Sequence, residues 1–83
     1  MQKVTVKIDG AEQEISVLMV FHSRNPATQR YGVNLSYVTK LGKHRQLQLF
    51  CEDEYLEEPA RELAQNIRDG KITDLTGYLA ERR

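Results

Sequence analysis

The apolar residues of this chain change their period once, at Cys51, and that change limits the fold more than any other feature. Before Cys51, apolar and polar residues alternate, as they do on a half-buried strand whose successive side chains point to opposite faces. After it, Leu56, Ala60, Leu63, Ala64 and Ile67 recur at helical spacing. Strands first and helices last predict an α+β domain, with helices on one face of an antiparallel sheet.

Val4, Val6 and Ile8 alternate with Lys3, Thr5 and Lys7, and Asp9-Gly10 reads as a turn. A second strand follows over 13–21. It opens by alternating and then becomes Val17-Leu18-Met19-Val20-Phe21, apolar on both faces. Either the strand is central and covered on both sides, or one face is an exposed apolar contact site. Residues 22–30 read as a loop turning at Asn25-Pro26, since the residue before proline avoids helical geometry. In the third strand, over 31–39, Tyr31, Val33, Leu35 and Tyr37 share one face; Gly32, Asn34, Ser36 and Val38 share the other. Residues 40–44 form a hairpin around Gly42. In the fourth strand, 45–51, Gln46, Gln48 and Phe50 oppose Leu47, Leu49 and Cys51. Pro59 suits the first turn of a helix over 59–69, and Gly70 suits its end. Thr73 or Asp74 can cap a second short helix that buries Leu75, Tyr78 and Leu79, although Gly77 weakens it by ~1 kcal/mol relative to alanine. The expected fold is a four-stranded, meander-like antiparallel sheet followed by two C-terminal helices packed on one face.

The 83 residues suffice for one core, so 1–83 reads as a single small α+β domain. No apolar run approaches the ~20 residues of a membrane span, and the first ten residues lack an apolar signal core. A lone cysteine cannot form an internal disulfide, which fits a reducing compartment and predicts a cytoplasmic protein. Twelve basic and twelve acidic residues leave no net charge, which argues against bulk attraction to nucleic acid or membrane.

The charges are nevertheless segregated. Residues 15–51 carry Arg24, Arg30, Lys40, Lys43 and Arg45, plus His22 and His44, and no acid. Glu52, Asp53, Glu54, Glu57 and Glu58 then follow without a base. Glu57 and Glu58 precede Pro59 and suit the positive end of a helix dipole. Glu52, Asp53 and Glu54 sit too early for that role. They read as a docking patch for a basic surface, together with Phe50 and the amides Gln46 and Gln48, which share a face without lysine or glutamate.

Catalytic and cofactor chemistry find no support. EDEYLEE has neither the alternation nor the glycine of a calcium loop, and adjacent acids do not make two carboxylates across a cleft. His22 and His44 lack metal-ligand partners at useful spacing, and His22-Ser23 are neighbours without an orienting acid. No glycine-rich phosphate loop is present. The chain therefore reads as a non-enzymatic module without cofactor or metal, acting on a protein partner as a regulator or inhibitor. An accessory protein of a phage or mobile element fits that description. One alternative is nucleic-acid binding by Lys40, Lys43, His44 and Arg45 of the hairpin, with Arg24 and Arg30. Those two sets are expected at opposite ends of the third strand, which splits the footprint. A second alternative is a homodimer.

Overall fold

A computed structural model describes residues 2–82. Its elements in chain order are β1 (Gln2–Ile8), β2 (Ala11–Arg24), β3 (Tyr31–Val38), β4 (His44–Phe50), α1 (Glu57–Arg68) and β5 (Leu79–Arg82). The five strands form one antiparallel sheet in the order β1-β2-β3-β4-β5, curled into a half-barrel. Alternation puts Val4, Val6, Ile8, Ile15, Val17, Val33, Leu35, Tyr37, Leu47 and Leu49 on the inner face. The helix lays Ala60, Leu63, Ala64 and Ile67 against them. Asp9 and Gly10 both take positive φ between the paired residues Ile8 and Ala11, as a two-residue hairpin requires.

The second helix predicted after Thr73 does not form, and the predicted four strands become five. Leu75 is buried, but the chain turns at Asp74–Thr76, where the Asp74 carboxylate accepts from the Thr76 amide and hydroxyl. It then enters β5, pairing Leu79 with Phe50 and Glu81 with Gln48. Two physical reasons favour this outcome. The stretch after Thr73 is short and carries Gly77 in its middle, so propensity alone does not sustain a helix there. The outer edge of β4 would otherwise expose unpaired backbone groups. The predicted α+β fold is thus corrected to a mostly β one with a single helix.

The same segment also closes on β1. The Thr5 amide donates to the Thr73 carbonyl at 2.8 Å, and the Leu75 amide to the Thr5 carbonyl at 2.7 Å. Arg82 reaches Asp9 at 3.0 Å and joins the end of β5 to the first turn.

β2 is longer than expected and is bulged. Val17 pairs with Tyr37, but Met19 pairs with Ser36, so Leu18 is an extra residue. Beyond it the faces of β2 are exchanged relative to strict alternation. Val20, opposite Leu35, packs on the core; Met19 and Phe21, opposite Ser36 and Asn34, face outward.

Candidate functional site

The outer face of the sheet is a candidate site, and its floor is polar. Ser36, Asn34, Gln46 and Gln48 occupy its centre on β3 and β4, in register with one another. Asn34 is buried there, and its amide donates to the Ser23 hydroxyl. Gln48 lies across Gly32: a Cβ built on Gly32 would come within 2.8 Å of the Gln48 side chain. The glycine therefore leaves room for the amide to lie flat on the sheet.

Apolar side chains rise on both sides of this floor. Leu18, Met19 and Phe21 on β2 are 45%, 58% and 42% exposed, and Leu79 on β5 is 58% exposed. Their strands are separated by β3 and β4, a span of roughly 14 Å at the usual strand spacing. An exposed apolar face on residues 17–21 is one of the two alternatives expected for β2, but none of these four residues is expected in the docking patch, and Leu79 is expected in a buried helical stripe. One available signal was the spacing of Ile15, Val17 and Val20, which steps by three after stepping by two. That is the mark of an inserted residue.

The structure distributes the six residues expected to form the docking patch. Gln46 and Gln48 lie on the outer face, and Glu52 and Asp53 are exposed just beyond β4. Phe50 is on the outer face but only 5% exposed, because the Arg30 guanidinium stacks on its ring at 3.9 Å from the centroid. Glu54 is held by that same arginine. Arg30 Nη2 donates to Glu54 Oε2 at 3.1 Å and to Glu81 Oε2 at 3.2 Å. Nε stands 3.1 Å from Glu54 Oε1, at ion-pair range though off the line of a good hydrogen bond. The bond to Glu54 is the main reason the Arg30 pKa is raised; partial desolvation opposes it, and Glu81 adds to it. The Tyr31 amide donates to the Glu54 carbonyl at 2.6 Å. Arg30, Glu54, Glu81 and Phe50 thus form a latch between the β2–β3 loop, the junction after β4, and β5.

Glu57 and Glu58 fall in the first turn of α1, where carboxylates favour the positive end of the helix dipole. Both pair with Arg61, and Glu57 also lies 3.7 Å from His22. Beyond β4, Glu52 borders an open cleft of about 920 Å³ with Cys51, Asp74, Thr76 and Tyr78, and lines a smaller neighbouring cleft together with Asp53. Burial, and then the nearby Asp53 charge, raise the Cys51 thiol above its usual value, which opposes thiolate reactivity. Among the described residues no three of His, Cys, Asp and Glu converge to hold a metal ion.

The basic residues separate as the meander requires. Lys40, Lys43, His44 and Arg45 are exposed around the β3–β4 turn. Arg24 and Arg30 lie at the opposite end of β3, roughly 24 Å away for eight residues of strand. Arg24 is exposed, while Arg30 is committed to the latch. Among the described residues no helix is long and apolar enough to cross a membrane. Searches against protein-family models, curated proteins and solved structures returned no match.

Proposed function

We propose that this chain is a non-enzymatic module that binds another protein through the outer face of its sheet. The observation that carries the reading is the display of Leu18, Met19, Phe21 and Leu79 around a floor of amides and small polar groups. Apolar side chains framing a polar but uncharged centre resemble the interior of a protein interface more than a fully solvated sheet. The strands fix the backbone that carries these side chains, so no backbone ordering at these positions opposes association. Regulation or inhibition of the partner is the biological role in keeping with a small binding module, and an accessory protein of a phage or mobile element remains one setting for it. Under the same reading the protein works in the cytoplasm, in keeping with its lone free cysteine.

The test compares the unaltered protein with a Met19→Ser/Phe21→Ser double variant in affinity purification from the native host. Circular dichroism first establishes that the variant is folded. A protein recovered in stoichiometric amount with the unaltered chain and lost with the variant supports the reading. Nucleic acid recovered instead, and lost when Lys40, Lys43 and Arg45 become alanine, would transfer the function to the hairpin. Its affinity should then fall steeply with salt. A second copy of the chain as sole partner, seen by sedimentation at two concentrations, would make the face a homodimer contact.

A further inference from the structure

The outer half of β2 has an open backbone edge. Among the described residues, β1 covers β2 from Ala11 to Val17, with Gln2 paired to Val17. Beyond the bulge, residues 19–24 pair with β3 on one side, and among the described residues no strand lies on the other. The direction of the free groups is fixed by one contact. Arg68 Nη1, from the last turn of α1, donates to the Val20 carbonyl at 2.9 Å. That carbonyl therefore points away from β3. Alternation in an antiparallel ladder turns the backbone groups of His22 and Arg24 the same way.

We infer that this edge receives an extended segment of the protein partner as an added strand, an inference that rests on the binding function proposed above. Main-chain hydrogen bonds to an exposed edge supply affinity, and alternate side chains supply selectivity. The two sides of the edge differ in chemistry. Met19 and Phe21 flank it on the outer side and are exposed and apolar. Val20, His22 and Arg24 flank it on the inner side, next to Arg68. Arg24 and Arg68 have no carboxylate within ion-pair distance among the described residues; Arg68 spends its donors on Val20 and on Gln65. Glu57, the acid on this side, is already shared between His22 and Arg61. The complementary strand therefore alternates apolar and acidic residues, with the apolar ones beside Met19 and Phe21 and the acids beside Arg24 and Arg68. A second copy of the chain paired two-fold here would bring Arg24 and Arg68 of both copies to one seam, which disfavours self-pairing. In the free protein Arg68 caps the most inward carbonyl of the edge, one of the ways a strand edge is kept from indiscriminate pairing.

The probe is a blocked peptide alternating valine and glutamate, with valine–lysine and proline-interrupted peptides as controls. Amide exchange is followed residue by residue by NMR on the full chain. The valine–glutamate peptide should slow exchange at His22 and Arg24 by about tenfold when nine-tenths of the protein is bound, because exchange then proceeds from the free tenth. The valine–lysine peptide should do so at far higher concentration only. His22→Pro removes an outward amide at an edge position where proline is tolerated, and should abolish the effect. Arg24→Glu keeps every backbone amide and should exchange the preference between the two peptides, so the inference stays testable should the proline variant fail to fold. Unchanged exchange at His22 and Arg24 with shifts confined to the Met19 and Phe21 side chains would overturn the edge while leaving the face. Equal protection by both charged peptides would overturn the acidic partner. Loss of the natural partner with Met19→Ser/Phe21→Ser but not with His22→Pro would likewise sink the strand-addition mode alone.

Discussion

Leu75 and Leu79 stand four residues apart, so a helix would set them on one stripe and make them energetic equals. In the half-barrel they are opposites: Leu75 is fully buried at the β1 edge, and Leu79 projects from the outer face of β5. Truncating each to alanine separates the two arrangements. Removing three carbon groups from a fully buried site costs ~2.4 kcal/mol at ~0.8 kcal/mol each. An unfilled cavity raises the figure toward ~5 kcal/mol where the walls are rigid. One wall here is the connection 72–78, anchored by few hydrogen bonds, so partial collapse brings Leu75→Ala to ~3 kcal/mol. Leu79 has about two-fifths of its surface covered, which limits Leu79→Ala to ~1 kcal/mol with no cavity. A chain of this length has a total stability of ~4–12 kcal/mol, so the first loss is a large share of it. Urea unfolding followed by far-ultraviolet circular dichroism measures both, with Leu75→Met as a volume-conserving control expected to cost under ~1.5 kcal/mol. In thermal melts Leu75→Ala should lower Tm by ~12–24 °C and Leu79→Ala by no more than ~8 °C. Equal losses at the two positions would refute the strand and restore the helical stripe.

Other consequences can be measured on the same protein. The Thr76 hydroxyl and amide hold the Asp74 carboxyl below its ordinary 3.8, so its contribution is full above about pH 4 and is lost as pH falls through the lower folded value. Asp74→Asn should therefore flatten part of the acid loss in melts taken from about pH 5 downward; identical acid limbs in the two proteins would count against that turn. The raised Cys51 thiol should make alkylation by iodoacetamide at about pH 8 slower in the folded protein than in urea; its contribution to stability is present below 9.0 and is lost as pH rises through the folded value. Arg30→Met should lower stability and make the remaining stability less sensitive to salt, because the latch joins Arg30 to two carboxylates. Its raised pKa keeps the guanidinium charged throughout the neutral range, so this loss should not vary between about pH 6 and 9. A salt response unchanged by the substitution would mean the latch is held by stacking on Phe50 alone.

The parts of the fold legible in the sequence were those written in local periodicity. Four strands, the facing of β3 and β4, the Gly42 turn and α1 all follow from alternation, helical spacing and glycine placement. β5 has no such signature. Its four residues alternate too briefly, and their conformation is set by the open edge of β4 rather than by their own preference. The Arg30 latch was illegible for a related reason. Arg30 and Glu54 are 24 positions apart, and only the pairing of β3 with β4 brings the loop before one to the junction after the other. Part of the charge segregation that suggested an external partner is thus answered within the chain.

The bulge at Leu18 had the largest consequence for the outer face of the sheet. Strict alternation from Ile15 and Val17 would carry Met19 and Phe21 into the core and turn Val20 and His22 outward. The extra residue reverses this, so Val20 packs inward opposite Leu35 and His22 comes within reach of Glu57 at the start of α1. Val20 thus packs against the core as a partly buried side chain. The same reversal exposes Met19 and Phe21. Bulges also increase twist, and this one falls where, among the described residues, β1 stops covering β2. A single inserted residue therefore determines which side chains of β2 beyond Val17 pack on the core and which stand on the outer face.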